Sequence, residues 1–121
     1  MRYCWTTLYV KDMEESLNFY QEIVGLNLNR VSKISPEFEL AFLGSGETQV
    51  ELIFDQSKEL DYMNTTISLG FQTDSLEALI EDFKQKGIPV LAGPIQPNPN
   101  LRFFYILDPN GIKIQFIEFL A

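Results

Sequence analysis

Two stretches of this 121-residue chain read alike, and that internal repeat constrains the fold more than any other feature. TTLYVKDMEESL, beginning at Thr6, corresponds to ISLGFQTDSLEAL, beginning at Ile67. In each, an extended run gives way to a capped helix. Tyr3 to Val10 is rich in aromatic and β-branched residues, which favour strands. Its alternation sets Tyr3, Trp5, Thr7 and Tyr9 on one face and Cys4, Thr6, Leu8 and Val10 on the other. Asp12 stands where a helix N-cap belongs, with Glu14 and Glu15 in the first turn. Met13, Leu17, Tyr20 and Val24 recur at helical spacing, and Gly25 suits the C′ position, so the first helix is predicted from about Met13 to Val24. Three extended segments follow: Leu28 to Ile34, Phe38 to Leu43 and Thr48 to Phe54. Pro36 and Gly44-Ser45-Gly46 separate them as turns.

The second half repeats the order. Thr66 to Thr73 predicts a strand, and Asp74 or Ser75 caps a helix through Leu76, Leu79, Ile80 and Phe83 that ends at Gly87. Pro89 to Gly93 reads as a short strand. Gly93 to Asn100, rich in Pro and Asn, reads as a loop that cannot hold a central strand. Leu101 to Leu107 and Ile112 to Leu120 predict a hairpin around Asp108-Pro109-Asn110-Gly111, whose Asn-Gly step is a strong turn signal. The fold class is therefore α+β. Two βαβββ modules are expected, forming a curved mixed sheet with helices outside and a concave inner face. Module one spans about 1–55, a linker 56–64 and module two about 65–121.

Composition narrows the chemistry. Hydrophobic residues make up 45% and charged residues 21%, an ordinary globular balance with surface enough to build a core. No apolar run approaches the ~20 residues of a membrane span, and no basic leader precedes an apolar stretch. The expectation is a cytoplasmic protein, consistent with a single cysteine, Cys4, that cannot form an intrachain disulfide. A net charge of −8 with no basic stripe argues against nucleic acid as a partner. The chain has no histidine, which removes Ser-His-Asp and Cys-His chemistry and leaves only carboxylates as strong metal ligands.

Four segments carry a resemblance: WTTLYVKDMEESLNFYQEIVGLNL from Trp5, FELAFLGSGETQVELIF from Phe38, SLGFQTDSLEALIEDFKQKGIPV from Ser68, and DPNGIKIQFIE from Asp108. In this order, with the duplication, the chain resembles the vicinal-oxygen-chelate group, which includes glyoxalase I, extradiol dioxygenases and bleomycin-binding proteins; the wording is nearest to glyoxalase I. The resemblance implies a divalent metal held by one side chain from each of four strands. Carried over residue by residue, those positions hold Trp5, Glu51, Ser68 and Gln115. The repeat supports that register: Trp5 and Ser68 lie 63 positions apart, Glu51 and Gln115 lie 64 apart. An alternative register places Thr66 third, at the cost of a gap before the helix. One of four ligand positions keeps an ionisable donor, so no metal and no other cofactor is expected.

The residues expected to bind ligand are Trp5, Thr7, Glu51, Ser68, Phe103, Tyr105 and Gln115. Trp5, Phe103 and Tyr105 suit stacking on a planar molecule or holding a cation over a ring. Glu51 suits pairing with a ligand cation, or, as the one candidate catalytic group, work as a base. Phe19, Tyr20, Phe42, Phe54, Phe71, Phe83, Phe104 and Phe116 read as core beneath the helices. The leading reading is a metal-independent binder of a small, planar or cationic molecule, similar to the drug-sequestering branch of the group. A glyoxalase-like lyase acting through Glu51 and an interaction module without ligand are the rivals. The resemblance also implies a homodimer.

Overall fold

In the computed structural model the chain divides into two units, residues 1–62 and 63–121, and each builds one four-stranded mixed sheet. Residues 1–46, 48–60 and 66–120 are described; part of the expected linker lies outside them. The first unit runs β1 (Trp5–Tyr9), α1 (Met13–Asn18) with a π-helical turn (Phe19–Ile23), β2 (Leu28–Ser35), β3 (Phe38–Leu43) and β4 (Gln49–Asp55). The second runs β5 (Ser68–Gln72), α2 (Leu76–Gln85), β6 (Ala92–Asn98), β7 (Leu101–Leu107) and β8 (Lys113–Phe119). Strand order is β1-β4-β3-β2 and β5-β8-β7-β6, so the βαβββ repeat read from the sequence is present twice. In both units the first and last strands pair in parallel and the others antiparallel. No helix among the described residues is long and apolar enough to cross a membrane.

Each helix covers one face of its sheet. Leu8, Ala41, Leu43, Val50 and Leu52 are buried in the first unit, and Phe104, Ile106, Ile114 and Phe116 in the second. Phe83 of α2 stands edge-on to both Phe104 and Phe116, at 5.9 and 5.3 Å between ring centres, which favours the ring quadrupoles beyond simple burial. The helices start as expected: Asp12 Oδ1 accepts from the Glu15 amide and Ser75 Oγ from the Ala78 amide. Of the two candidate caps for α2, Ser75 is therefore the one used.

Three local readings are corrected. The first helix is not regular to Val24. The Val24 amide donates to the Phe19 carbonyl, an i→i+5 bond, and Leu26 reaches back to Tyr20. Thirteen positions separate the Asp12 cap from Gly25, which has φ +86°, whereas twelve separate Ser75 from Gly87 at φ +73°. The extra residue is taken up by a widened turn that keeps two consecutive rings, Phe19 and Tyr20, buried. Second, Gly93–Asn100 is not a loop: Ala92–Asn98 forms β6, and Pro89 to Leu91 are outside any strand. The proline argument holds for central strands, but among the described residues β6 is an edge, paired to β7 alone and with shifted register around Pro94 and Pro97. Third, Phe42 does not lie beneath the helix. It pairs with Glu51 across β3 and β4, on the opposite face.

Candidate functional site

The face of each sheet turned away from its helix carries the residues singled out in the sequence. In the first unit, register aligns Trp5 with Gln49, Thr7 with Glu51 and Tyr9 with Ile53, and β3 adds Phe42 beside Glu51. Side chains alternate along a strand, so these share one face because their neighbours Leu8, Val50 and Leu52 are committed to the core. Trp5 is 47% exposed and meets Phe42 edge-on at 5.2 Å. Its indole is half-exposed rather than buried. The Arg30 guanidinium lies 4.5 Å from the Phe42 ring centre, a cation–π contact.

Glu51 is the unusual member of this face. It is only 9% exposed, and its Oε1 accepts a 2.6 Å hydrogen bond from the Thr7 hydroxyl. Among the described residues no lysine or arginine pairs with it, and nothing else donates to it. A largely shielded carboxylate with one hydroxyl donor and no countercharge keeps acceptor capacity for an N–H group brought to it.

The second unit sets a different chemistry on the same framework. Ser68 aligns with Lys113 and Gly70 with Gln115, and Tyr105 of β7 lies across from Gln115. Gln115 Nε2 donates to the Tyr105 hydroxyl at 3.2 Å. Tyr105 also meets Phe103 edge-on at 5.7 Å and has the Lys113 ammonium 5.6 Å from its ring centre. Gly70 leaves room here: a β-carbon would come 3.4 Å from Gln115 Oε1 and 3.3 Å from Ile117 Cδ1. Trp5 and Ser68 each open their strand and each stand seven positions before their helix's capping residue, Asp12 and Ser75. That makes Ser68, not Thr66, the counterpart of Trp5 within the duplication.

Thus Thr7 and Glu51 touch, Phe103, Tyr105 and Gln115 touch, and Trp5 and Ser68 lie at the ends of their strands on these faces. Sequence reasoning missed Phe42, Arg30 and Lys113. β3 reads FELAFL, and its charged residue Glu39 shares a face with the buried Ala41 and Leu43, so alternation alone does not say which way Phe42 points. Only its pairing with β4 does.

The four positions that the resemblance assigns to a metal hold an indole, a carboxylate, a hydroxyl and a neutral amide. Among the described residues no three of His, Cys, Asp or Glu converge as ligands. This donor set does not fit a divalent transition ion, which takes imidazole, thiolate or several carboxylates.

Comparison with known proteins places this arrangement. The chain is 35% identical over 127 residues to the lactoylglutathione lyase of Neisseria meningitidis (serogroup A), covering 98% of this chain and 91% of the relative. A glyoxalase family protein from Bacillus cereus superposes with a TM-score of 0.85 at 18% identity, over 100% of this chain and 95% of the other. TnmS3, an antibiotic binding protein from Streptomyces sp. CB03234, gives 0.77 at 21% identity over 98% and 95%. Residues 2–116 match the Glyoxalase/Bleomycin resistance protein/Dioxygenase superfamily, and the chain belongs to that family.

Proposed function

We propose that this protein binds a small, partly planar molecule bearing a cationic or N–H donor group, without help from a metal. The observation that carries this reading is Glu51: shielded, held by Thr7, lacking a countercharge and set on the face where Trp5 and Tyr9 stay open. Aromatic surface supplies stacking and the carboxylate supplies direction. The open face of the second unit, with Ser68, Phe103, Tyr105 and Gln115, offers aromatic edges and an amide for the same class of ligand. The likeness to an antibiotic binding protein supports binding as an end in itself. Titration with basic planar antibiotics, read by the fluorescence of Trp5 as the sole tryptophan, is expected to saturate. Glu51→Gln should weaken binding by about tenfold or more, since it removes a charge-assisted bond. An absence of saturable change across the panel would refute the reading.

A second reading is favoured by the 35% identity to a lactoylglutathione lyase. Here Glu51 takes a proton from the substrate and the Thr7 hydroxyl orients the carboxylate. It requires turnover of the thiol conjugate of a 2-oxoaldehyde, lost in Glu51→Gln.

A further inference from the structure

The two units are filled differently on the side of each sheet that faces its helix. In the second unit Arg102 of β7 lies between two carboxylates. Its Nη2 is 3.2 Å from Glu118 Oε1 on β8, and its Nη1 is 3.5 Å from Glu77 Oε1 in the first turn of α2. Glu118 Oε1 also accepts from the Leu76 amide at 2.7 Å. A guanidinium therefore bridges the first helical turn and the last two strands. Following the register, Arg102 corresponds to Glu39 of β3 and Glu118 to Phe54 of β4. Glu77 corresponds to Glu14, the second residue after the cap in each helix. The first unit thus keeps the helical carboxylate, has a second carboxylate where its twin has arginine, and has a phenyl ring at the third position.

That space is open. A cleft of about 680 Å³ lies there, lined by Glu14, Leu17, Val31, Glu39 and Phe54 with Lys33 at β2. Lys33 approaches Glu39 only to 3.9 Å, from a side chain 76% exposed. Glu14 has no ion pair or hydrogen bond among the described residues. Four carboxylates (Asp12, Glu14, Glu22 and Glu39) and two lysines (Lys11 and Lys33) line the cleft around an apolar floor, and in the second unit Arg102 stands where Glu39 does. We propose that this cleft binds a small organic cation, a guanidinium or primary ammonium on an alkyl chain. Its head lies between Glu14 and Glu39 and its chain rests on Leu17 and Phe54. The cation does in trans what Arg102 does within the second unit, and the cleft is of the size that holds small molecules.

Agmatine, which has both head groups on a short alkyl chain, is the probe, titrated at low salt and followed by backbone amide shifts in two-dimensional NMR. Saturable shifts are expected in residues 11–22, 31–39 and 54. Glu39→Gln and Glu14→Gln should each raise Kd by about fivefold, the scale of partly exposed ion pairs. Glu39→Arg, which copies the second unit, should abolish the shifts while amides outside the cleft keep their positions. Glu51→Gln should leave them unchanged, which separates this cleft from the open face. No saturable shift up to about 10 mM agmatine, the weak end of measurable affinity, would overturn the proposal. So would shifts that persist in both glutamine variants, or that follow Glu51 instead.

Discussion

Aligned through their registers, the two units place Trp5 with Ser68, Thr7 with Gly70, Glu51 with Gln115 and Phe42 with Tyr105 on their open faces. On the helix side Leu8 stands with Phe71, Leu52 with Phe116, and Ala41 with Phe104. At these three positions the helix side is apolar in both, because a helix and a sheet hold together by excluding water between them. Even there volume is redistributed, with the large ring on β7 in one unit and methyl-sized Ala41 on β3 in the other. The open side has no such requirement. In one unit it holds a carboxylate and a hydroxyl, in the other an amide and a phenol. Topology therefore dictates half of each sheet and leaves the other half to chemistry.

The comparison is most severely broken by Phe104→Ala, which gives the second unit the residue of the first. Phe104 is fully buried against Phe83 and Phe116, so about 3–5 kcal/mol of stability should be lost in denaturant unfolding. The cost arises because α2 cannot collapse onto the hole. Next in size, exchanging the open-face chemistry tests whether binding resides in the first unit. Glu51→Gln makes that position resemble Gln115, and the loss of affinity for a cationic ligand should be about tenfold or more by titration. Removing the caps tests where the units are the same. Asp12→Ala and Ser75→Ala should each cost about 1 kcal/mol, in equal measure, by chemical denaturation.

The smallest effect is on acid stability. The Leu76 amide, opposed by desolvation and assisted by Arg102, holds the Glu118 carboxyl below its usual value of 4.5. A carboxyl with a depressed folded value contributes stability above its unfolded value and loses it as pH falls through the folded one. Thermal unfolding followed below pH 4.5 should thus show a decline that is reduced in Glu118→Gln. The first unit has Phe54 at that place, but Asp55 is also lowered, chiefly by the Ser57 hydroxyl and then its amide. Asp55→Asn should remove a separate part of the same acid limb.

Much of this was legible in the chain itself. The repeat, both helix starts and the Asn-Gly hairpin follow from neighbours a few residues apart, and all are present. The place of Thr7 on one face with Trp5 and Tyr9 was legible too, because β1 alternates cleanly. Phe42 was not, because the charged Glu39 shares the helix-side face of β3 with Ala41 and Leu43, and the orientation of the strand depends on hydrogen bonds to β4. The edge strand β6 was hidden by its prolines, whose meaning changes with whether a strand has one neighbour or two.

The sequence by itself determined a twofold βαβββ repeat, its capped helices and a chemistry without histidine. All of these are set by residue identity and short-range periodicity. Only the tertiary structure decided that Glu51 has Thr7 and no cation, that an extra helical residue becomes a π turn, and that Arg102 fills one unit while its counterpart leaves a cleft. Those outcomes depend on residues tens of positions apart that meet across strands and between helix and sheet. No local pattern encodes which partner will be there.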